Sequence, residues 1–207
     1  MNDLGFRHVF EPGSRAGAPP LLLLHGTGGT EHDLLPLGRA LSPGSALLSP
    51  LGKVSEHGAA RFFARLAEGV FDPMEVADRT HELADFVAAA SARYGLDATK
   101  LIAIGFSNGA NIAGVLLQIR PIVLGHAVLF RPMVIVDRAP APESLRGKRV
   151  FMANGSGDPI VPADHPRRLA AHLRAGGAEV STHVTTGGHN ISRDDIVAAQ
   201  RWFAAAS

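Results

Sequence analysis

A serine hydroxyl becomes a nucleophile only where a base can take its proton and a rigid turn holds it clear of the chain. Gly105-Phe106-Ser107-Asn108-Gly109 has the composition of such a turn. It directly follows the apolar run 101–104 and directly precedes a helical segment. Ser107 would therefore sit on a sharp strand-to-helix bend, with small residues on either side letting strand and helix approach closely. The helix N-terminus beneath it would favour negative charge developing there. A bare glycine-rich turn containing serine is common, so the strand before it and the helix after it carry the weight of the reading.

A nucleophile on an elbow of this kind is served further along the chain by a carboxylate and then a histidine, each on a loop that follows a strand. Asp158 lies in Asn154-Gly155-Ser156-Gly157-Asp158-Pro159-Ile160-Val161-Pro162, just past the apolar run 150–153. Asp137 is the rival, also after a strand, but its proline-rich surroundings offer no comparable turn. Four of the ten histidines follow Asp158. His165 and His172 fall on a predicted helix and His183 inside an alternating strand, so these read as surface or packing residues. His189, in Thr186-Gly187-Gly188-His189-Asn190, occupies the loop between the last strand and the last helix. The two glycines before it would let the backbone carry the imidazole toward the sheet edge. The reading assigns Ser107 as nucleophile, His189 as general base and Asp158 as the acid that orients it.

Acyl transfer also needs N–H donors aimed at the oxyanion. Leu21-Leu22-Leu23-Leu24 runs straight into His25-Gly26-Thr27-Gly28-Gly29, which supplies a glycine-rich loop at the end of a strand. The expected donors are the backbone N–H groups of Thr27 and Asn108. His25 reads as a brace for the loop rather than a base. A phosphate cradle is excluded because no Gly-Lys-Ser or Gly-x-Gly-x-x-Gly pattern follows.

These loops need a scaffold, and the chain alternates short apolar runs with longer amphipathic stretches, the rhythm of an α/β protein with a mostly parallel sheet. Residues 21–24, 46–48, 101–104, 127–130, 150–153 and 180–184 read as strands, with 6–10 as a weaker first one. Residues 76–94, 108–117, 164–175 and 192–205 read as helices, the last opened by a Ser192–Asp195 capping pair. Two stretches, 52–72 and 131–148, break the alternation, and long connections of this sort are commonly functional. They offer Arg61, Phe62, Phe63, Phe71 and Met133 as candidate pocket walls, although clustered aromatics equally suit core packing.

The 207 residues fit one domain spanning 1–207. A formal net charge of +1 leaves no field to attract nucleic acid or an anionic membrane. The absence of cysteine excludes a thiol nucleophile and disulfides. The acidic, weakly apolar N-terminus does not read as a secretory leader, so a cytoplasmic location is expected, and no apolar run reaches membrane-spanning length.

With these segments in view, the chain resembles the bacterial phospholipase/carboxylesterase group of α/β-hydrolases, which includes carboxylesterases, lysophospholipases and acyl-protein thioesterases. The likeness rests on Leu24-His25-Gly26-Thr27-Gly28-Gly29, the Ser107 elbow, Gly157-Asp158-Pro159-Ile160-Val161-Pro162 and Gly188-His189. It implies an α/β-hydrolase fold with helices on both faces of the sheet and no large cap. It also implies no metal or cofactor, often a homodimer, and cleavage of small-molecule carboxylic esters through an acyl-enzyme. Thioester or lysophospholipid hydrolysis, or a catalytically silent ligand-binding homologue, are the alternatives. The related dienelactone hydrolases use cysteine at the elbow, and this chain departs from them with Ser107.

Overall fold

The computed structural model describes residues 4–205; Met1–Asp3, on which the reading of the N-terminal segment partly rests, and the last two residues lie outside the described part. In chain order the elements are β1 (His8–Glu11), β2 (Leu21–Leu24), α1 (Leu35–Leu41), β3 (Leu47–Pro50), β4 (Val54–Glu56), β5 (Ala59–Arg61), α2 (Pro73–Tyr94), β6 (Ile102–Phe106), α3 (Asn108–Ile119), β7 (His126–Phe130), β8 (Arg149–Gly155), α4 (His165–Ala175), β9 (Glu179–Thr185) and α5 (Arg193–Ala204). Seven strands form one sheet in the order β1-β3-β2-β6-β7-β8-β9. All neighbours pair in parallel except β1, which runs antiparallel to β3 at one edge.

Both faces of the sheet are covered, which is why its central strands are continuous apolar runs rather than alternating ones. Leu22 and Leu24 of β2 pack into a core shared with α2, α3 and α4, while Leu21 and Leu23 face a second core shared with α1 and α5. All four are fully buried, each worth about 1.5–3 kcal/mol relative to exposure. The fold is that of an α/β-hydrolase, with helices on both faces.

Several element ends follow from local chemistry. Helix α2 begins at Pro73, earlier than its apolar spacing implies, because Asp72 caps the Met74 N–H and proline is favoured in the first turn; Gly95 ends it with φ 67°. Helix α5 opens with the Ser192–Asp195 capping box. Strand β3 runs to Pro50, beyond the apolar run, since His8 of β1 pairs with that residue. Residues 52–72 hold a hairpin, β4–β5, turned at His57-Gly58 with φ 51° and 86°. Residues 131–148 contain turns but neither helix nor strand. No helix among the described residues is long and apolar enough to cross a membrane.

Because β2, β6, β8 and β9 are parallel, their C-terminal ends open onto the same sheet edge. The glycine-rich loop, the elbow, the Asp158 loop and the His189 loop follow those four strands in turn. The alternation of elements is therefore what gathers residues some 30–80 positions apart in the chain.

Candidate active site

Ser107 stands between β6 and α3 with φ 52° and ψ −115°, outside the regions open to an ordinary L-residue. The strain is held from two sides: the Ser107 N–H donates to Phe130 O of β7 at 2.9 Å, and its carbonyl accepts the Asn111 N–H of α3. A Cβ at Gly109 would overlap the Leu24 carbonyl and lie 2.6 Å from His25 O, so only glycine lets the helix start against β2.

The Ser107 hydroxyl donates to His189 Nε2 at 2.8 Å, and His189 Nδ1–H donates to Asp158 Oδ2 at 2.8 Å. The carboxylate on Nδ1 sets this tautomer, leaving Nε2 free to accept. The Asp158 side chain is only 2% exposed, and its second oxygen accepts the N–H groups of Ile160 at 2.8 Å and Val161 at 3.2 Å. Burial works against its charge, but these N–H groups and His189 outweigh it and hold the carboxyl below its usual range. The group is a fixed anion. The acid and base loops are stacked closely, with Gly157 N–H donating to Gly187 O at 3.1 Å. A Cβ at Gly155 would overlap that same carbonyl, whereas Gly187 and Gly188 have room for one. The obligatory glycine for bringing His189 into place is thus the one at the root of the acid loop.

The loop after β2 is braced from several directions. His25 is buried, donating from Nδ1 to Gly26 O at 2.7 Å and accepting the Gly52 N–H at Nε2 at 2.9 Å. Burial depresses its pKa, consistent with a neutral ring that is donor on one side and acceptor on the other. Gly28 N–H is spent on Ala60 O of the hairpin. Among the described residues, neither the Thr27 nor the Asn108 N–H donates to any protein acceptor, and both residues border the cleft that holds Ser107.

That cleft encloses about 330 Å³ and is lined by Arg61, Phe71, Met133 and Ile160 beside Ser107 and His189. Of the sequence-predicted wall residues, Arg61, Phe71 and Met133 border this cleft. Phe62 and Phe63 do not: they are 3% and 0% exposed, part of the core under α2 and α3, and they correct the expectation that the aromatic cluster lines the pocket. Phe63 packs its ring against Phe71 at 5.3 Å, so it supports the wall from behind.

Arg61 is buried, donating to Thr27 Oγ1 at 2.6 Å and to Phe63 O at 3.0 Å, with Glu56 Oε2 at 3.3 Å. Glu56 is shared with Arg65, which also borders the cleft. Asn108 and Asn111, on the first turn of α3, accept the N–H groups of Phe62 and Met133 at 2.7 and 2.8 Å. The nucleophile's own helix thus grips both irregular stretches. Asn111, Arg65 and Ile160 carry no signal in the sequence that sets them apart, because their partners come from other loops. A second hollow of about 460 Å³ lies on the far side of Asp158, between β9 and α4, and includes neither Ser107 nor His189.

The rival acid, Asp137, is on the surface, paired with Arg168 and His172 and away from His189. His165 accepts the Val134 N–H and His183 lies on β9, so neither approaches Ser107. Chemically, the arrangement brings to one cleft a serine hydroxyl, an imidazole aligned by a buried carboxylate, and two N–H groups with no protein acceptor among the described residues, the set of groups acyl transfer would need.

No family model matches the chain. It is 41% identical over 197 residues to "Putative hydrolase MhqD" of Bacillus subtilis (strain 168), spanning 95% of this chain and 97% of that protein. Its fold superposes on the Bacillus cereus carboxylesterase with a TM-score of 0.94 and 40% identity, over 98% of this chain and 95% of the other. It superposes on YahD, whose structure was solved with malic acid, with a TM-score of 0.92 and 31% identity, over 98% of this chain and 100% of the other.

Proposed function

The chain belongs to the phospholipase/carboxylesterase group of α/β-hydrolases and is a carboxylic-ester hydrolase; from that premise we propose that it works through a covalent acyl-enzyme on Ser107. The observation that carries the proposal is the unbroken hydrogen-bonded chain Asp158–His189–Ser107, with both links at 2.8 Å. In this scheme Ser107 Oγ attacks the ester carbonyl carbon while its proton passes to His189 Nε2. Negative charge gathers on the carbonyl oxygen, where the Thr27 and Asn108 N–H groups receive it. The intermediate collapses, breaking the C–O bond, and the leaving alkoxide takes the proton from Nε2. Water, deprotonated by the same nitrogen, then attacks the acyl carbon; the acyl–Oγ bond breaks, Oγ takes the proton back from Nε2, and the acid is released. Asp158 stays ionised throughout and stabilises the imidazolium.

The substrate we infer is a compact ester. A cleft of about 330 Å³ is at the small end of the roughly 300–1,000 Å³ typical of small-molecule sites, which favours short acyl groups over lysophospholipid chains. Phe71, Met133 and Ile160 supply apolar contact, and Arg65, whose side chain is partly exposed beside its partner Glu56, would favour an ester whose carboxylate lies on its side of the cleft, away from Glu68. The relative YahD, solved with the dicarboxylic malic acid, is in keeping with that preference.

The test joins site and substrate. A fluorophosphonate should label Ser107, located by mass spectrometry, and p-nitrophenyl esters should be cleaved with a preference for short acyl chains over both long-chain esters and acyl-thioesters. A label on Ser156 or Ser192 with Ser107 unmodified would overturn the assignment.

A further inference from the structure

Arg131 is an unusual residue for its place. It follows β7 directly, has φ 56°, and is 0% exposed. A guanidinium has five N–H donors, and a buried one is costly wherever a donor is left unmet. Here all five are used. Nε donates to Gly188 O at 2.9 Å; one terminal nitrogen donates to Ala153 O at 3.1 Å and Asp195 Oδ1 at 3.3 Å; the other donates to Asn190 O at 2.6 Å and Asp195 Oδ2 at 2.6 Å.

The identity of the three carbonyls gives the arrangement its meaning. Gly188 and Asn190 are the residues immediately before and after His189. Ala153 is in β8, one residue before the stretch that carries Asp158, and it also accepts the Arg131 backbone N–H at 2.8 Å. One rigid, planar group therefore ties the base loop on both sides of the imidazole and anchors it to the root of the acid loop. Asp195 is fully buried and already engaged in the α5 capping box, accepting from Ser192 N–H and O–H at 2.8 and 2.7 Å. The capping box of α5 therefore has its own donors without Arg131.

We propose that Arg131 is a positioning residue for His189: its guanidinium, held against Asp195, clamps the backbone on both sides of the imidazole and so fixes the Nε2–Ser107 distance. The inference rests on His189 being the base, and it adds a device that acts through the loop without touching substrate. A buried ion pair serving stability alone could be exchanged for apolar residues of similar volume with little loss. The clamp could not, because its function lies in the carbonyl bonds.

Four variants separate the two roles: Arg131→Lys, Asp195→Asn, the double change Arg131→Met/Asp195→Leu, and His189→Ala. Each is measured for thermal midpoint, kcat and KM on a neutral p-nitrophenyl ester, and for the low-field proton resonance of the His189–Asp158 hydrogen bond. Asp195→Asn strips Arg131 of its counter-charge but leaves the three carbonyl bonds, so it should melt earlier yet keep kcat within a few-fold. The double variant also removes the partners that Ser192 and the three carbonyls have in Asp195 and the guanidinium, so it should melt earlier than Asp195→Asn. It should lose kcat by about 100-fold or more, the scale expected of a misplacement near 1 Å, with KM little changed and the low-field resonance lost. Arg131→Lys keeps the charge but has three donors in place of five, so its kcat should fall alongside a modest drop in melting temperature.

A double variant that folds and retains wild-type kcat overturns the clamp. Should that variant fail to fold, wild-type kcat in Arg131→Lys with only a lower melting temperature overturns it equally. Activity surviving in His189→Ala would instead refute the base assignment itself. An inactive His189→Ala beside fully active Arg131 variants would refute the clamp alone.

Discussion

Two glycines of one helix should respond to the same substitution with opposite signs. Gly109 and Gly114 both lie in α3, where replacing glycine by alanine ordinarily stabilises by about 0.5–1 kcal/mol through backbone entropy. Around Gly114 a new Cβ meets only Leu169 Cδ2, at 4.0 Å, which is ordinary contact. The full benefit should appear, a rise of roughly 1–4 °C in melting temperature for a chain of this size, with kcat unchanged. At Gly109 the new Cβ would overlap the Leu24 carbonyl and crowd that of His25. These are backbone atoms of a strand end and its loop, and β2 is bonded to β3 on one side and β6 on the other, so they cannot swing away as a side chain would.

To restore normal contact, α3 and β2 must part by about 1.5 Å. Overpacking of this kind costs about 1–3 kcal/mol, more than the entropic gain, so Gly109→Ala should melt several degrees lower. The larger effect is on turnover. The displacement separates the Thr27 side of the site from Ser107 and Asn108, and a shift above 1 Å in a reacting constellation costs on the order of 100-fold. Thermal melts and steady-state kinetics on a short-chain ester, run on both variants, test the reasoning. If Gly109→Ala keeps wild-type stability and kcat, or if Gly114→Ala falls in the same way as Gly109→Ala, the close approach at the elbow does not have the role given to it here.

Three further outcomes follow from the geometry. Asp158→Asn should lower kcat by about 10³–10⁴-fold through loss of the anion that selects the imidazole tautomer, whereas Asp137→Asn, changing a surface partner of Arg168 and His172, should leave kcat near wild type. Arg65→Gln should raise KM for a monoester of a small dicarboxylic acid while sparing a neutral ester, and added salt should shrink the difference, since Arg65 borders the cleft with a partly exposed side chain. Because burial lowers the pKa of His25 in the fold, the unfolded chain binds the extra proton first; stability from this group is complete above the unfolded value of about 6.5 and is lost as pH falls below it. Melting temperatures across about pH 5–8 should therefore decline less steeply toward acid in His25→Gln, with some slope left by His126 and His165, which shift in the same direction; an unchanged slope would contradict the neutral His25.

The features legible in the chain itself are those that depend on neighbours in sequence. The elbow glycines, the turn around Asp158 and the glycine-flanked His189 are local patterns, and parallel pairing then forces strand ends to one edge, so their order alone predicts that the three loops meet. Helix α1 was missed because it is only seven residues long and Gly38 weakens its local signal; Gly38 is small to suit Leu23 and Leu47, whose side-chain carbons a Cβ would meet at 3.1–3.2 Å. The β4–β5 hairpin was missed because its strands are three residues each and its turn uses His57-Gly58 in place of the more telling Asn-Gly. Yet that hairpin supplies Arg61 and the carbonyl that orders Gly28.

The same limit explains the one wrong wall. Phe62 is adjacent to Arg61, and adjacent side chains of an extended chain point to opposite faces; Phe63, two residues on, lies past the end of β5, where that alternation no longer decides its direction. Whether an aromatic turns to the cleft or to the core is decided by what lies across from it, here the underside of α2 and α3, which no reading of residues 52–72 contains. Arg131 is the extreme case. Its five partners come from Ala153, Gly188, Asn190 and Asp195, between 22 and 64 residues away, and three of them are backbone carbonyls, groups every residue has. A sequence names side chains, so it can suggest where an acid might meet a base; it has no means of marking which carbonyls a buried cation will gather. Function written in side chains on strand-end loops is therefore readable early, whereas the backbone bonds that hold those loops to within an ångström become readable only once the sheet has brought them together.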